Sequence, residues 1–155
     1  MRVMGRTYAL RRHITEALPP GVAGAPFEAA LALGYLATVL NVIANRALYA
    51  LVTRGLFPGG GAILWLAFTG VSCVTILLGL LLFERFAYAA LLIERVGLAA
   101  LSAALLAYFW AVWTHSGGIS TAVETTGATL IACIYRAITI GVALERHDRQ
   151  ESTQP

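Results

Sequence analysis

Gly61–Phe83, GAILWLAFTGVSCVTILLGLLLF, runs for 23 residues without a charged side chain, and its reading decides the fold. At 1.5 Å rise per residue a helix of that length covers ~34 Å, enough for the ~30 Å hydrocarbon core of a bilayer. Lipid offers the backbone no hydrogen-bond partner, so a crossing segment has to satisfy its own N–H and C=O groups. Three more segments qualify: Ala29 to Thr53, about Ile93 to Trp113, and Ala122 to Leu144. Each is bounded by glycine, proline, charge or a polar cluster. The whole chain agrees, with 59% hydrophobic and 12% charged residues and a mean hydropathy of +0.76. Soluble domains carry about a quarter charged residues. The expected fold is all-α, an integral membrane four-helix bundle over 29–144. A basic segment and linker, 1–28, precedes it and a short polar tail, 145–155, expected to be frayed or disordered, follows.

All 11 basic residues are arginine, and their placement orients the chain. With four spans both tails share one side with the loop near Glu84. That side holds Arg2, Arg6, Arg11, Arg12, Arg85, Arg95, Arg146 and Arg149; the other has only Arg54, while Arg46 and Arg136 fall within spans. The positive-inside rule then places both termini in the cytoplasm of a bacterium, with the chain in its cytoplasmic membrane. Trp65, Trp110 and Trp113 fall at the outer boundary, where amphipathic rings prefer the headgroup level.

From Val3 to Leu18 the apolar positions recur at helical spacing while Arg6, Arg11, Arg12 and Glu16 supply polar groups, until Pro19 and Pro20 stop the pattern. Such a stretch fits a short amphipathic helix lying in the inner headgroup layer, or a basic tail that only sets topology. It has no continuous apolar core, so no cleavable signal peptide is expected.

Polar groups within spans are costly and mark places where helices meet or water enters. In span one, Thr38, Asn41, Asn45, Tyr49 and Thr53 recur every three or four residues, which puts them on one helical face. That face reads as a pore lining, a self-association seam, or a set of interhelical hydrogen bonds in a fixed bundle. Arg136 lies ~12 Å from the inner end of its span, and Glu94 ~10 Å if the third helix begins near Ala87. These heights suggest an ion pair, Glu94 with Arg136, and a second at the other surface, Arg46 with Glu124. The competing reading leaves the glutamates in headgroups and lets the arginines snorkel. Small residues at four-residue intervals, Ala99, Ala103 and Ala107 in span three and Cys133, Ala137 and Gly141 in span four, permit close helix packing within a chain or between copies.

Chemistry has little support. Cys73 and Cys133 sit in apolar segments without CxxC spacing or nearby histidines and read as small packing residues, so no metal, redox pair or cofactor is expected. His115 stands alone in a loop, with no HExxH, nucleophile elbow or paired carboxylates, so no catalytic residue is assigned and an enzyme is not expected. The net charge of +3 follows from topology and does not form a nucleic-acid-binding face. Gly59 to Gly61 lacks the GK[ST] of a phosphate loop.

The run LLIERVGLAALSAALLAYF, Leu91 to Phe109, with its Glu94-Arg95-x-Gly97-Leu98 centre, and IACIYRAITIG, Ile131 to Gly141, resemble the small four-span membrane proteins of actinobacteriophages known as holin-like. The all-arginine, alanine-rich composition fits a GC-rich genome of that kind. By this resemblance Glu94, Arg95, Gly97 and Arg136 are the family-like positions. The resemblance implies a protein that accumulates in the host cytoplasmic membrane and self-associates there into lesions that release or activate a cell-wall hydrolase. The rival expectations are a fixed bundle that binds a second membrane protein, such as an antiholin or exclusion factor, and a small oligomeric channel. The lipid bilayer and a homo-oligomer are the expected partners.

Overall fold

The computed structural model describes residues 25–58, 60–117 and 120–152, and within them the chain is helical with no strand. Four helices are long and apolar enough to cross a membrane: α1, Pro26–Ala44; α3, Gly61–Leu82; α4, Ala87–Ser116; and α5, Thr121–Ser152, apolar as far as Glu145. Between α1 and α3 lie a six-residue helix, α2, Arg46–Leu51, and a π-helical turn, Val52–Leu56. Pro26 opens α1 at a position where its missing N–H costs nothing. Gly60 and Gly117, at φ +86° and +70°, make the turns into α3 and out of α4, a backbone region that other residues adopt only with strain. The expected amphipathic helix, with Arg6, Arg11 and Arg12, lies outside the described residues.

The helices pack in chain order, α3 along α4 and α4 along α5, with α1 against α3. The core shows why. Cys73, Ile76 and Leu80 on α3, Leu98, Leu101 and Leu105 on α4, and Cys133, Ile140 and Leu144 on α5 recur at three-, four- or seven-residue steps, so each helix presents one stripe to the centre. Ala25, Ala29 and Ala32 close it from the α1 side. Contact is tightest between α3 and α4, at two glycines. A methyl group on Gly79 would stand 2.8 Å from the Glu94 nitrogen, and one on Gly97 would stand 2.7 Å from Ile76 Cγ1. Only hydrogen fits at either point, and the two backbones approach accordingly.

The outer surface is the reverse of a water-soluble domain. Leu64 is 75% exposed, Ile131 69% and Val96 62%, and exposed leucine, isoleucine, valine and phenylalanine recur along all four long helices. Soluble monomers rarely leave a contiguous apolar patch larger than a few hundred Å². These features fit a small multi-pass membrane protein.

Three expectations need correction. Span one is not a continuous helix from Ala29 to Thr53. It ends at Ala44, because Asn45 adopts an extended conformation (φ −100°, ψ 106°) and its Oδ1 accepts hydrogen bonds from the backbone N–H groups of Ala47 (3.0 Å) and Leu48 (3.3 Å). Asparagine competes in this way with the helical pattern, and here it starts a new helix. The polar tail is not irregular from Glu145 onward: α5 continues to Ser152, over residue types that favour helix and include no glycine or proline. Trp65 is not a headgroup anchor. It is 9% exposed, its indole N–H donates to the Ala104 carbonyl at 3.0 Å, and its ring lies between Phe57 and Tyr108, with centroids at 5.4 and 5.2 Å. Trp110 and Trp113 are exposed, as the aromatic-belt reading expects.

Candidate functional site

The most distinctive polar feature joins three helices near the end of the bundle where α1 begins. Arg136 on α5 reaches Glu94 on α4, with Nε and Nη2 each 3.2 Å from Oε1. The same Nε lies 2.8 Å from Glu28 Oε1 on α1. Glu94 is 2% exposed and Glu28 7%, whereas the Arg136 side chain keeps about a third of its surface open, 33%. Each helix supplies its group for a local reason. Glu28 sits in the first turn of α1, where a carboxylate opposes the positive end of the helix dipole. Glu94 lies on the buried stripe of α4 opposite Gly79, and Arg136 lies one turn from the half-buried Ala132 and the buried Ile140 on α5. One guanidinium therefore serves two buried carboxylates, and a planar fork suits that arrangement better than an ammonium. Because α1 and α5 approach each other little along their backbones, this cluster is a principal tie between them.

Arg46 and Glu124 are not brought together. Both are exposed, and the break at Asn45 turns Arg46 into the start of α2, away from the line of α1. The same break divides the polar stripe. Thr38 and Asn41 remain on α1, Asn45 is consumed as a cap, Tyr49 lies on α2, and Thr53 falls in the π turn, where its hydroxyl donates to the Tyr49 carbonyl at 2.8 Å. The stripe is therefore not a single continuous face.

Thr38 and Asn41 instead border a cleft of about 380 Å³ in the half of the bundle where α1 ends and α5 begins. Tyr35 and Val42 of α1, the α2 and π-turn residues Leu48, Val52 and Leu56, Trp65, Tyr108, and Thr125 and Thr126 of α5 complete its walls. No charged residue lines it. The cleft exists because α1 stops short and the chain folds back through α2, leaving the α1–α5 seam unfilled at this end.

The small residues divide in two. Ala99, Ala103 and Ala107 point outward on α4, whose buried face is made instead by Ala90, Glu94, Gly97, Leu98, Leu101, Ala104 and Leu105. Ala137 and Gly141 are half-buried; Ala137 borders a shallow groove between α4 and α5 with Arg95 and Ala99, and a methyl group on Gly141 would meet the Arg95 guanidinium at 2.8 Å. Among the described residues no three or more of His, Cys, Asp and Glu are grouped to hold a metal ion.

Sequence reasoning missed Glu28 and Gly79. Glu28 sits two residues after Pro26, where composition reads as linker, yet a carboxylate at the first turn of an apolar helix is a recognisable signal of helix start. Gly79 was hidden in a leucine run, with no partner visible at a four-residue interval. No protein-family model, curated protein or solved structure matches the chain.

Proposed function

We propose that this chain is a multi-pass protein of the bacterial cytoplasmic membrane, with both termini in the cytoplasm, that acts without catalysis by associating with further copies of itself, in the manner of the holin-like proteins it resembles. One observation carries the association: the alanine ladder Ala99, Ala103 and Ala107 faces outward, while the intrachain helix contact uses Gly79 and Gly97. Between helices in lipid there is little hydrophobic driving force, so a face of small side chains on the outside of a folded bundle offers close packing to a neighbour. The buried cluster at Arg136 supports a second reading, a fixed bundle that docks on another membrane protein, because it holds three helices in one arrangement.

Inducible expression in a bacterium, with Ala99→Cys, Ala103→Cys or Ala107→Cys, each alone in a Cys73→Ser/Cys133→Ser background, tests both. Self-association through this face gives a disulfide-linked dimer on mild oxidation, and a lesion former adds abrupt loss of membrane potential after a delay. Stable accumulation with unchanged growth and no cross-linking at positions 99, 103 or 107 refutes self-association through this ladder. It leaves the fixed bundle in its place.

A further inference from the structure

The cleft between α1, α2 and α5 has no part in the association face. Its chemistry can be read from where its hydrogen-bonding groups are already committed. The Thr38 hydroxyl donates to the Gly34 carbonyl (2.9 Å), Thr125 to Thr121 (2.8 Å) and Thr126 to Ala122 (2.6 Å). A threonine that donates to its own helix keeps acceptor lone pairs free, and so offers its neighbourhood an acceptor. Trp65 has likewise committed its N–H to Ala104. The Asn41 carboxamide makes no hydrogen bond among the described residues. The three threonine hydroxyls thus offer acceptors and the Asn41 carboxamide both a donor and an acceptor, while Trp65, Val52 and Leu56 supply an apolar floor.

We infer that this cleft is a binding site for a small uncharged amphiphile bearing a hydroxyl group, an alcohol or phenol in chemical class, that enters sideways from the apolar phase. The hydroxyl donates to the threonine oxygens near Asn41, and the apolar part lies over Trp65 between α2 and the π turn. Charge is excluded because no Asp, Glu, Arg or His side chain lines the walls, and a charge seated there without a partner is costly. Size is limited as well: about 380 Å³ lies toward the lower end of the ~300–1,000 Å³ of small-molecule sites, so a single chain or small ring fits and a two-chain lipid does not.

Trp65 reports on its own site. With Trp110→Phe and Trp113→Phe, both exposed positions, Trp65 is the one remaining tryptophan of three. The full chain in phosphatidylcholine vesicles is titrated with 11-bromo-1-undecanol, whose bromine quenches indole fluorescence, and in parallel with its methyl ether, which has the same apolar body and no donor. The expected result is saturable quenching by the alcohol and about tenfold weaker binding by the ether, which forgoes the hydrogen bond to the threonine oxygens. Equal quenching by both probes, or quenching that rises linearly with their membrane concentration, overturns the proposal. So does full quenching by vesicles brominated on their acyl chains that the unbrominated alcohol fails to relieve, because a lipid chain then occupies the cleft. Thr38→Val with Thr125→Val, checked for retained helicity, removes two of those acceptor oxygens and is expected to weaken the alcohol and leave the ether unchanged.

Discussion

Removing Arg136 isolates what the buried cluster does. In the native chain one guanidinium is shared between two carboxylates, Glu28 and Glu94, which are 7% and 2% exposed. Arg136→Gln leaves two negative charges facing each other with no counter-charge. Breaking a buried pair by deleting one partner costs about 3–5 kcal/mol, and the partial exposure of Arg136, 33%, argues for the lower end, about 3 kcal/mol. That corresponds to a factor of roughly 100 in the folded-to-unfolded ratio. For a chain of this length the thermal midpoint falls by on the order of 10 °C. The carboxylate variants are expected to separate charge from packing. Glu28→Gln leaves a balanced pair, Glu94 with Arg136, and should be as stable as the native chain or more so. Glu94→Gln removes the group that makes two of the three contacts with the guanidinium and should lie between. The triple glutamine variant at 28, 94 and 136 should recover most of the loss. Thermal unfolding of detergent-solubilised protein, followed by circular dichroism, and accumulation in membranes give the order. A stable Arg136→Gln variant, or a triple variant no better than the single one, shows that the cluster does not hold the helices together.

Gly97→Ala and Gly79→Ala are expected to destabilise by about 1–3 kcal/mol through overpacking at the α3–α4 contact, whereas Gly34→Ala, with nothing within 4 Å of its added methyl, is expected to be neutral or stabilising by up to about 1 kcal/mol; the same unfolding assay compares them. Asn45→Ala removes two capping hydrogen bonds and should cost about 0.5–2 kcal/mol, read as a lower unfolding midpoint, while Asn45→Asp should preserve the break. Trp65→Phe deletes the bond to Ala104 while keeping an aromatic ring between Phe57 and Tyr108, and a loss of about 1 kcal/mol is expected in the same melt.

The four long apolar helices were legible because apolar length is a one-dimensional property: Gly61–Leu82 is found within a residue of where its sequence places it. The break after the first of them was not. Asn45 sits in register with its polar neighbours, and only its side-chain oxygen turning back onto Ala47 and Leu48 converts a stripe position into a stop. The meeting of Glu94 and Arg136 followed from their depths along two helices, since height in a bilayer is countable from sequence. Rotation about each helix axis is not countable in that way. For that reason Glu28 was missed as the third member, and the outward aspect of Ala99, Ala103 and Ala107 was left open until the buried stripe of α4 was known. Trp65 shows the same limit: indole belongs at a boundary by composition, yet a carbonyl at Ala104 and two flanking rings draw it inside.

α5 runs for 32 residues, ~48 Å, while α1, with 19, covers ~28 Å. The last eight residues of α5 past Leu144, its last residue in the described core, therefore form a helical spur of ~12 Å. A spin label or fluorophore fixed on that spur turns with the helix itself, so distances between labelled copies would measure how neighbouring protomers are rotated in an assembly.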